Sequence, residues 1–202
     1  MSDSRQSLSL SLSAGDALVV VDVQNDFLPG GSLAVPHGDE VVPVLNRYAA
    51  AFQARGLPIF ATRDWHPPNH CSFREQGGPW PPHCVAGSKG AEFPPALQLP
   101  SSTVLITLKG TEPEQDAYSG FERTDLGARL RALGVRRLFI GGLATDYCVL
   151  CTAKDARKLG YTVFLLLDAI QAVNVQPDDG RRAEEEMIQL GAVPIRWKHL
   201  AG

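Results

Sequence analysis

The strongest constraint on the fold is a regular alternation between short apolar runs and segments of helical periodicity. Runs that are apolar along their whole length are typical of strands buried on both faces of a parallel sheet. They predict strands at 17–21, 57–62, 103–108, 137–140, 162–167 and 193–195. Amphipathic stripes that each end at a glycine predict helices at 40–55, 126–133, 145–159 and 178–190.

Strands that alternate with helices form right-handed βαβ units, which build a parallel sheet covered on both sides. The predicted fold class is therefore α/β, a Rossmann-like three-layer α/β/α arrangement around a central, mainly parallel six-stranded sheet. Thr145 or Asp146 is expected to cap the third helix, because short polar side chains accept hydrogen bonds from its free N–H groups. The stretch 64–100 is rich in proline and lacks periodicity, and so long a loop is usually functional.

Composition excludes several classes of protein. Of the 202 residues, 44% are hydrophobic and 20% are charged, as in ordinary globular domains and unlike disordered or collagen-like chains. The net charge of -3 gives no basic footprint for nucleic acid. No apolar run approaches the ~20 residues that a membrane-spanning helix needs. We therefore expect no nucleic acid and no membrane among the partners.

The chain's beginning and its cysteines bear on domain organisation and location. Residues 1–15 alternate serine and leucine without the basic start and apolar run of a secretory signal. We expect a flexible N-terminal tail there, with a short strand as the alternative, followed by one domain at 16–202. Four cysteines are too few for a disulfide framework and favour reduced thiols. The expected location is cytoplasmic.

Polar side chains follow four of the predicted strands at the points where those strands end. Asp22, Asp64 and Lys109 follow the first three strands, and the loop 141–144 leads from the fourth to Cys148. Ligands of open parallel sheets bind beyond the carboxyl ends of the strands. One polar residue at a strand end is usually structural. Two carboxylates, an ammonium and a thiol at one edge predict an active site.

Cys148 is the candidate nucleophile, because it lies about one turn inside the third predicted helix. The helix dipole and free N–H groups there favour a thiolate and can bind an oxyanion. No histidine ends a predicted strand, so Asp22 is the candidate base, with Lys109 as its electrostatic partner. The alternative is a buried cysteine that only packs. The pair Cys148 and Cys151 has C-x-x-C spacing, but it comes late in the chain and lacks a second pair, which favours a core role for Cys151.

The long loop contains a second group of residues with the composition of a metal site. Asp64 and His66 are two apart, so both side chains point to the same side of an extended segment. A histidine from further along, such as His83, can complete a site that leaves positions open for water or substrate. The sequence leaves three roles open for His70, which are a metal ligand, a neighbour of the ligands, or neither. One carboxylate with two imidazoles suits zinc, iron or manganese.

These residues stand in motifs that resemble the nicotinamidases (pyrazinamidases) of the isochorismatase-like cysteine hydrolase superfamily. The motifs are VVVDVQNDFLPGGSLAV, RDWHPPNHCSF, WPPHCVAGSKGAEF, KGTEPEQDAYSGFE and GGLATDYCVLCTAKDA. The resemblance runs from about Ala17 to the end of the chain. VDVQNDF indicates the superfamily, and the combination of DWHP, WPPHC and DAYSGF is specific to the nicotinamidase branch.

The resemblance implies an isochorismatase-like fold and a set of site residues. The implied catalytic triad is Asp22, Lys109 and Cys148. One divalent metal ion, with zinc favoured over iron and manganese, is implied at Asp64, His66 and His83, with His70 as a further ligand in some members. The implied oxyanion hole consists of the N–H groups of Ala144 and Cys148, beside a cis peptide bond that precedes Ala144. The implied substrate-binding residues are Phe27, Trp80, Tyr118 and Leu143.

The implied reaction is metal-dependent hydrolysis of nicotinamide to nicotinate and ammonia through a thioester, with pyrazinamide as a second substrate and NAD salvage as the role. The expected partner is a small-molecule substrate, and a homo-oligomer is left open. The alternative within the superfamily is a sister amidase that acts on another small amide. A non-haem iron oxygenase would leave Cys148 without a role, and a non-catalytic binding module would usually lack a triad member.

Overall fold

The described part of the chain, residues 9–100 and 104–200 of this computed structural model, forms a six-stranded sheet with helices on both faces. The strands are β1 (Asp16–Val21), β2 (Ile59–Asp64), β3 (Val104–Lys109), β4 (Arg137–Leu143), β5 (Thr162–Gln171) and β6 (Val193–Ile195). Their order across the sheet is β3-β2-β1-β4-β5-β6, and every described pairing is parallel. This is the Rossmann order, in which ligands bind where the strand order reverses, between β1 and β4.

Helices cover both faces of this sheet. They are α1 (Val41–Ala54), α2 (Leu126–Ala132), α3 (Leu150–Lys158) and α4 (Asp179–Gln189). In β1, Leu18 and Val20 join the hydrophobic cluster that contains α1, whereas Ala17 and Val19 join the cluster of α2, α3 and α4. Successive strand side chains point to opposite faces, so β1 is buried on both sides. The predicted three-layer α/β/α architecture is confirmed.

Two strands are longer than the sequence predicts. β4 continues to Leu143 rather than ending at residue 140, and β5 continues to Gln171 rather than ending at residue 167. Gly142 pairs with Ile170 after a shift of register between the two strands. Glycines and polar residues are depleted in strands, so the apolar pattern stops before the backbone pairing does.

The start of the third helix also differs from the prediction. It begins with a π-helical turn, Thr145–Val149, and α3 follows that turn. The N-cap position is Ala144, which makes no side-chain cap, so the predicted cap by Thr145 or Asp146 is wrong. The Asp146 carboxylate instead accepts hydrogen bonds from the backbone of a distant loop.

The edge strand β3 departs from the prediction of strands buried on both faces. It has a single neighbour, β2, in the described sheet. Ile106 is 39% exposed and Leu108 is 41% exposed, so one side of β3 faces solvent. An apolar run alone does not distinguish an edge strand from a central one.

Part of the predicted tail packs against the domain. Leu10 forms an isolated parallel bridge with Leu200, and Leu12 is buried in the cluster that contains α1. The tail prediction for residues 1–8 lies outside the described residues. Within the described ranges, no helix combines the length and apolar character needed to cross a membrane.

Candidate active site

Asp22, Lys109 and Cys148 meet at the carboxyl edge of the sheet, as the sequence predicts. The Lys109 ammonium lies 2.9 Å from Asp22 Oδ2 and 3.4 Å from Cys148 Sγ. It also donates to the Ala117 carbonyl at 3.1 Å and contacts the Asp64 carboxylate. Asp22 is 0% exposed, Lys109 1% and Cys148 6%. Water is therefore largely excluded from the contacts among these three groups, which strengthens their mutual electrostatic interaction.

The strand order and one hydroxyl group hold Asp22 in place. Asp22 follows β1, and the turn with Cys148 follows β4, which pairs directly with β1. Thr62 of β2 donates its hydroxyl to Asp22 Oδ1 at 2.6 Å and accepts the Asp22 N–H at 3.2 Å. Asp22 has a φ of +46°, which is uncommon for a residue with a side chain. These contacts fix the carboxylate beside the Lys109 ammonium.

Burial and the neighbouring charges set the protonation of the triad. Burial raises the pKa of the Cys148 thiol well above its usual value, although the Lys109 ammonium opposes this. Burial also raises the pKa of the Asp22 carboxyl, again against the effect of Lys109. Burial disfavours the charged form of Lys109, but the carboxylates of Asp22 and Asp64 raise its pKa well above the ordinary value. These shifts favour a neutral Cys148 thiol and a charged Lys109 ammonium, and they make the Asp22 carboxyl more basic than an exposed one.

The backbone turns sharply between β4 and Cys148. The peptide bond between Leu143 and Ala144 is cis, as expected from the resemblance. The Ala144 carbonyl accepts hydrogen bonds from the N–H groups of Tyr147 and Val149, both at 3.1 Å. Ala144 and Cys148 line the same pocket. This turn therefore places both residues of the predicted oxyanion hole at the pocket wall.

Asp64, His66 and His83 form a buried cluster whose ligand atoms lie within 4.8 Å of one another. His66 Nδ1 lies 2.9 Å from the Gly110 carbonyl and His83 Nδ1 lies 2.8 Å from the Pro81 carbonyl. Carbonyl oxygens accept, so each Nδ1 donates and each Nε2 has a free lone pair.

This donor set fits a divalent metal ion. His66 Nε2 lies 3.7 Å from Asp64 Oδ2. Burial disfavours ionisation of Asp64, but the Lys109 ammonium holds the pKa of its carboxyl below the ordinary value. One carboxylate and two imidazoles oriented by carbonyl groups match known metal sites with open positions. The structure therefore brings together the three principal ligands predicted from the sequence.

His70 does not join this cluster. Its Nδ1 lies 2.7 Å from Ser72 Oγ, and its Nε2 lies 3.2 Å from the Gln115 carbonyl. Its ring stacks on that of His66, with centroids 4.0 Å apart. Both ring nitrogens thus have other partners, and the additional ligand role that the resemblance allowed for His70 is not supported. His70 instead packs against the ring of His66, one of the three predicted ligands.

A pocket that is partly open to solvent is lined by Cys148 and by the metal cluster of Asp64, His66 and His83. Phe27, Trp80 and Tyr118, which the resemblance implies as substrate-binding residues, line it. Trp80 Nε1 donates to the Tyr118 hydroxyl at 3.0 Å, which fixes both rings at the wall. Leu143 is 0% exposed, belongs to the core cluster and does not line the pocket. At the end of strand β4 this side chain packs into the core, and its predicted substrate contact stays a prediction without support from the pocket lining.

Several further pocket residues were missed from the sequence, among them Tyr147, Asp116 and Val173. The Tyr147 ring packs edge-on against Trp80, with centroids 5.1 Å apart. Tyr147 directly precedes Cys148, and Asp116 lies in the KGTEPEQDAYSGFE motif. Their positions in these motifs are the signal by which both could have been identified as pocket residues. Val173 follows the unexpected extension of β5, and nothing in the local pattern indicates its place.

Two polar residues of the VDVQNDF motif position the site without lining it. Gln24 is fully buried, and its side chain accepts the Asp64 N–H and donates to the Asp64 carbonyl, both at 2.8 Å. Asp26 Oδ2 accepts the Cys84 N–H at 2.7 Å, next to His83. These bonds tie two separate segments with predicted metal ligands to the end of β1. Partners so distant in sequence cannot be identified from spacing alone.

Comparison with known proteins agrees with this geometry. The isochorismatase domain model matches residues 16–199. The nicotinamidase of Escherichia coli (strain K12) is 42% identical over an alignment of 197 positions, and the match covers 87% of this chain and 92% of that protein. The pyrazinamidase of Pyrococcus horikoshii in complex with zinc is 52% identical, with a TM-score of 0.86 over 91% of this chain and 99% of that one. PnC1 of L. infantum in complex with nicotinate is 38% identical, with a TM-score of 0.87 over 96% of this chain and 99% of that one. The chain therefore belongs to the isochorismatase family and, within it, to the nicotinamidase branch.

Proposed function

We propose that this protein hydrolyses nicotinamide to nicotinate and ammonia, and that it accepts pyrazinamide as a second substrate. The observation that carries the proposal is one pocket shared by Cys148 and the cluster of Asp64, His66 and His83, with Lys109 in contact with both. Nucleophile and ring-binding group are thus held at adjacent walls of one small cavity. The names of the E. coli and P. horikoshii relatives support the same activity.

In the first half of the reaction, Asp22 takes the thiol proton and Cys148 Sγ attacks the carboxamide carbon. The carbonyl π electrons move to oxygen, and the N–H groups of Ala144 and Cys148 stabilise that oxyanion. The C–N bond then breaks, and the leaving nitrogen takes the proton from Asp22 and departs as ammonia. A nicotinoyl thioester on Cys148 remains. Lys109 stabilises the carboxylate and the thiolate that alternate during these steps.

In the second half, water attacks the thioester carbon and Asp22 accepts its proton. The C–S bond breaks, nicotinate leaves, and the Cys148 sulfur recovers a proton. Asp22 therefore serves as base and acid in both halves, which its fixed position beside Lys109 and Cys148 allows. The cycle is balanced, since amide and water give carboxylic acid and ammonia.

We propose that Asp64, His66 and His83 bind one divalent metal ion. The zinc in the P. horikoshii relative favours zinc, with iron and manganese as the alternatives that this donor set accepts. The bound ion would supply a Lewis acid for the pyridine nitrogen of the substrate. Phe27, Trp80 and Tyr118 would contact the substrate ring and hold it with its nitrogen directed toward the metal cluster. Elemental analysis of the purified protein identifies the metal.

The test is a rate assay with nicotinamide, pyrazinamide and an N-carbamoyl amide. The wild type is expected to favour nicotinamide, whereas a preference for the N-carbamoyl amide would indicate a sister amidase. Cys148→Ala is expected to lose catalysis and keep its metal. Cys151→Ala, half-buried one turn further along, is the matched control and is expected to stay active. Cytoplasmic location and a homo-oligomer stay predictions.

A further inference from the structure

The loop between β5 and α4 is attached to the π-helical turn by a single carboxylate. Asp146 lies two residues before Cys148. Its Oδ1 accepts the Val173 N–H at 2.9 Å, and its Oδ2 accepts the Asn174 N–H at 2.8 Å. Hydrogen bonds to an ionised carboxylate are roughly twice as strong as neutral ones. Both oxygens of Asp146 are thus used to hold two successive peptide groups.

The segment held by Asp146 forms part of the substrate pocket. Among the described residues of this loop, Val173 alone lines the pocket. Its side chain also packs on the core cluster that contains α1. The next residues, Asn174 and Val175, are exposed, and Val175 is 53% exposed. Contact with the core is therefore limited, and the two bonds to Asp146 are the principal described polar attachment at the pocket end of the loop.

The far end of the same loop has its own attachment. The Asp179 carboxylate accepts the Gln176 N–H at 2.7 Å and pairs with Arg182 at 2.6 Å. Asp179 does not line the catalytic pocket. The loop therefore has two carboxylate anchors, one beside the pocket and one at the start of α4, which provide a matched pair for experiment.

We propose that Asp146 is a positioning residue that fixes Val173 as an apolar wall for the substrate ring and thereby determines substrate affinity. The proposal rests on the proposed function. Asp146 and Cys148 belong to the same turn, so the wall and the nucleophile are held in one frame. Asp146 has no described contact with Asp22, Lys109 or the metal cluster. Its removal should weaken binding of the ground state and the transition state equally, which raises KM and leaves kcat unchanged.

The experiment compares Asp146→Ala, Asp146→Asn and Asp179→Ala with the wild type, all as metal-loaded full chains. For Asp146→Ala we expect KM for nicotinamide and Kd for nicotinate to rise about ten-fold, with kcat within about two-fold. Asp146→Asn retains one acceptor oxygen, so it should give a smaller rise. Asp179→Ala should leave KM, Kd and kcat unchanged. A fall in kcat without a change in KM, or an equal rise of KM in Asp179→Ala, would overturn the proposal.

A second variant keeps the test decisive if Asp146→Ala does not fold. Val173→Ala shortens the wall itself and should raise KM without lowering kcat. Combined with Asp146→Asn, it should raise KM by less than the product of the two single effects, because both act through one side chain. Full multiplicativity would contradict the proposed route through Val173. Wild-type enzyme that does not hydrolyse nicotinamide would instead refute the proposed function, independently of these comparisons.

Discussion

Removal of the Lys109 ammonium is expected to destabilise the fold as well as abolish activity. Lys109→Met keeps the length of the side chain but leaves the carboxylates of Asp22 and Asp64 without their shared cation. Both carboxylates are buried, with side-chain exposures of 0% and 6%, and the lysine side chain is 0% exposed. Breaking a buried pair by removing one partner costs about 3–5 kcal/mol of the free energy of unfolding. We expect a loss in that range.

The assay is urea unfolding in the presence of a chelator, so that metal binding does not contribute to the measured free energy. Lys154→Met is the matched control, because Lys154 pairs with Glu186 at 2.6 Å but both side chains are more than a third exposed. That pair should contribute about 0–1 kcal/mol. The double variant Lys109→Met with Asp22→Asn should recover part of the loss. A loss for Lys109→Met no larger than the control's would refute the reasoning.

Two further predictions concern the metal cluster and the opposite end of the sheet. His83→Ala is expected to lower metal affinity by more than about 100-fold, whereas His70→Gln should still bind metal stoichiometrically. Elemental analysis after dialysis measures the metal content of both variants. An equal loss of metal from the two variants would contradict the assigned ligands. Arg137→Met removes the bidentate partner of the buried Asp16 carboxylate, at 2.5 and 2.6 Å, and should cost about 3 kcal/mol in urea unfolding with kcat/KM for nicotinamide unchanged. A cost below about 1 kcal/mol, the range of exposed pairs, would show that this pair is not effectively buried.

The sheet and the triad were predictable from the sequence for physical reasons. Strands buried on both faces require apolar runs, and the carboxyl ends of parallel strands share one edge. The positions of Asp22, Lys109 and Cys148 therefore followed once the strands were identified. The metal cluster followed from ligand chemistry for Asp64 and His66, which are close in sequence.

Other features depend on contacts that sequence spacing does not encode. His70 has the right chemistry for a ligand, but Ser72 and Gln115 occupy its ring nitrogens. Leu143 directly precedes the pocket residue Ala144 in the sequence, yet its side chain at the end of the extended strand β4 is buried in the core. Asp146 was predicted as a helix cap, whereas its partners lie 27 and 28 residues away. In each case tertiary contacts, rather than a local rule, determine where the side chain lies.

The central claim is that Cys148 forms a thioester with the acyl group of nicotinamide. Rapid-quench mass spectrometry of a single turnover tests this most directly, with the acylated residue located by peptide mapping. A nicotinoyl adduct is expected on the peptide that contains Cys148, and it should form before nicotinate is released and decay as nicotinate accumulates. Cys148→Ala should show no adduct. If nicotinate forms during the turnover and no adduct on Cys148 is detected at any time, the thioester mechanism is refuted.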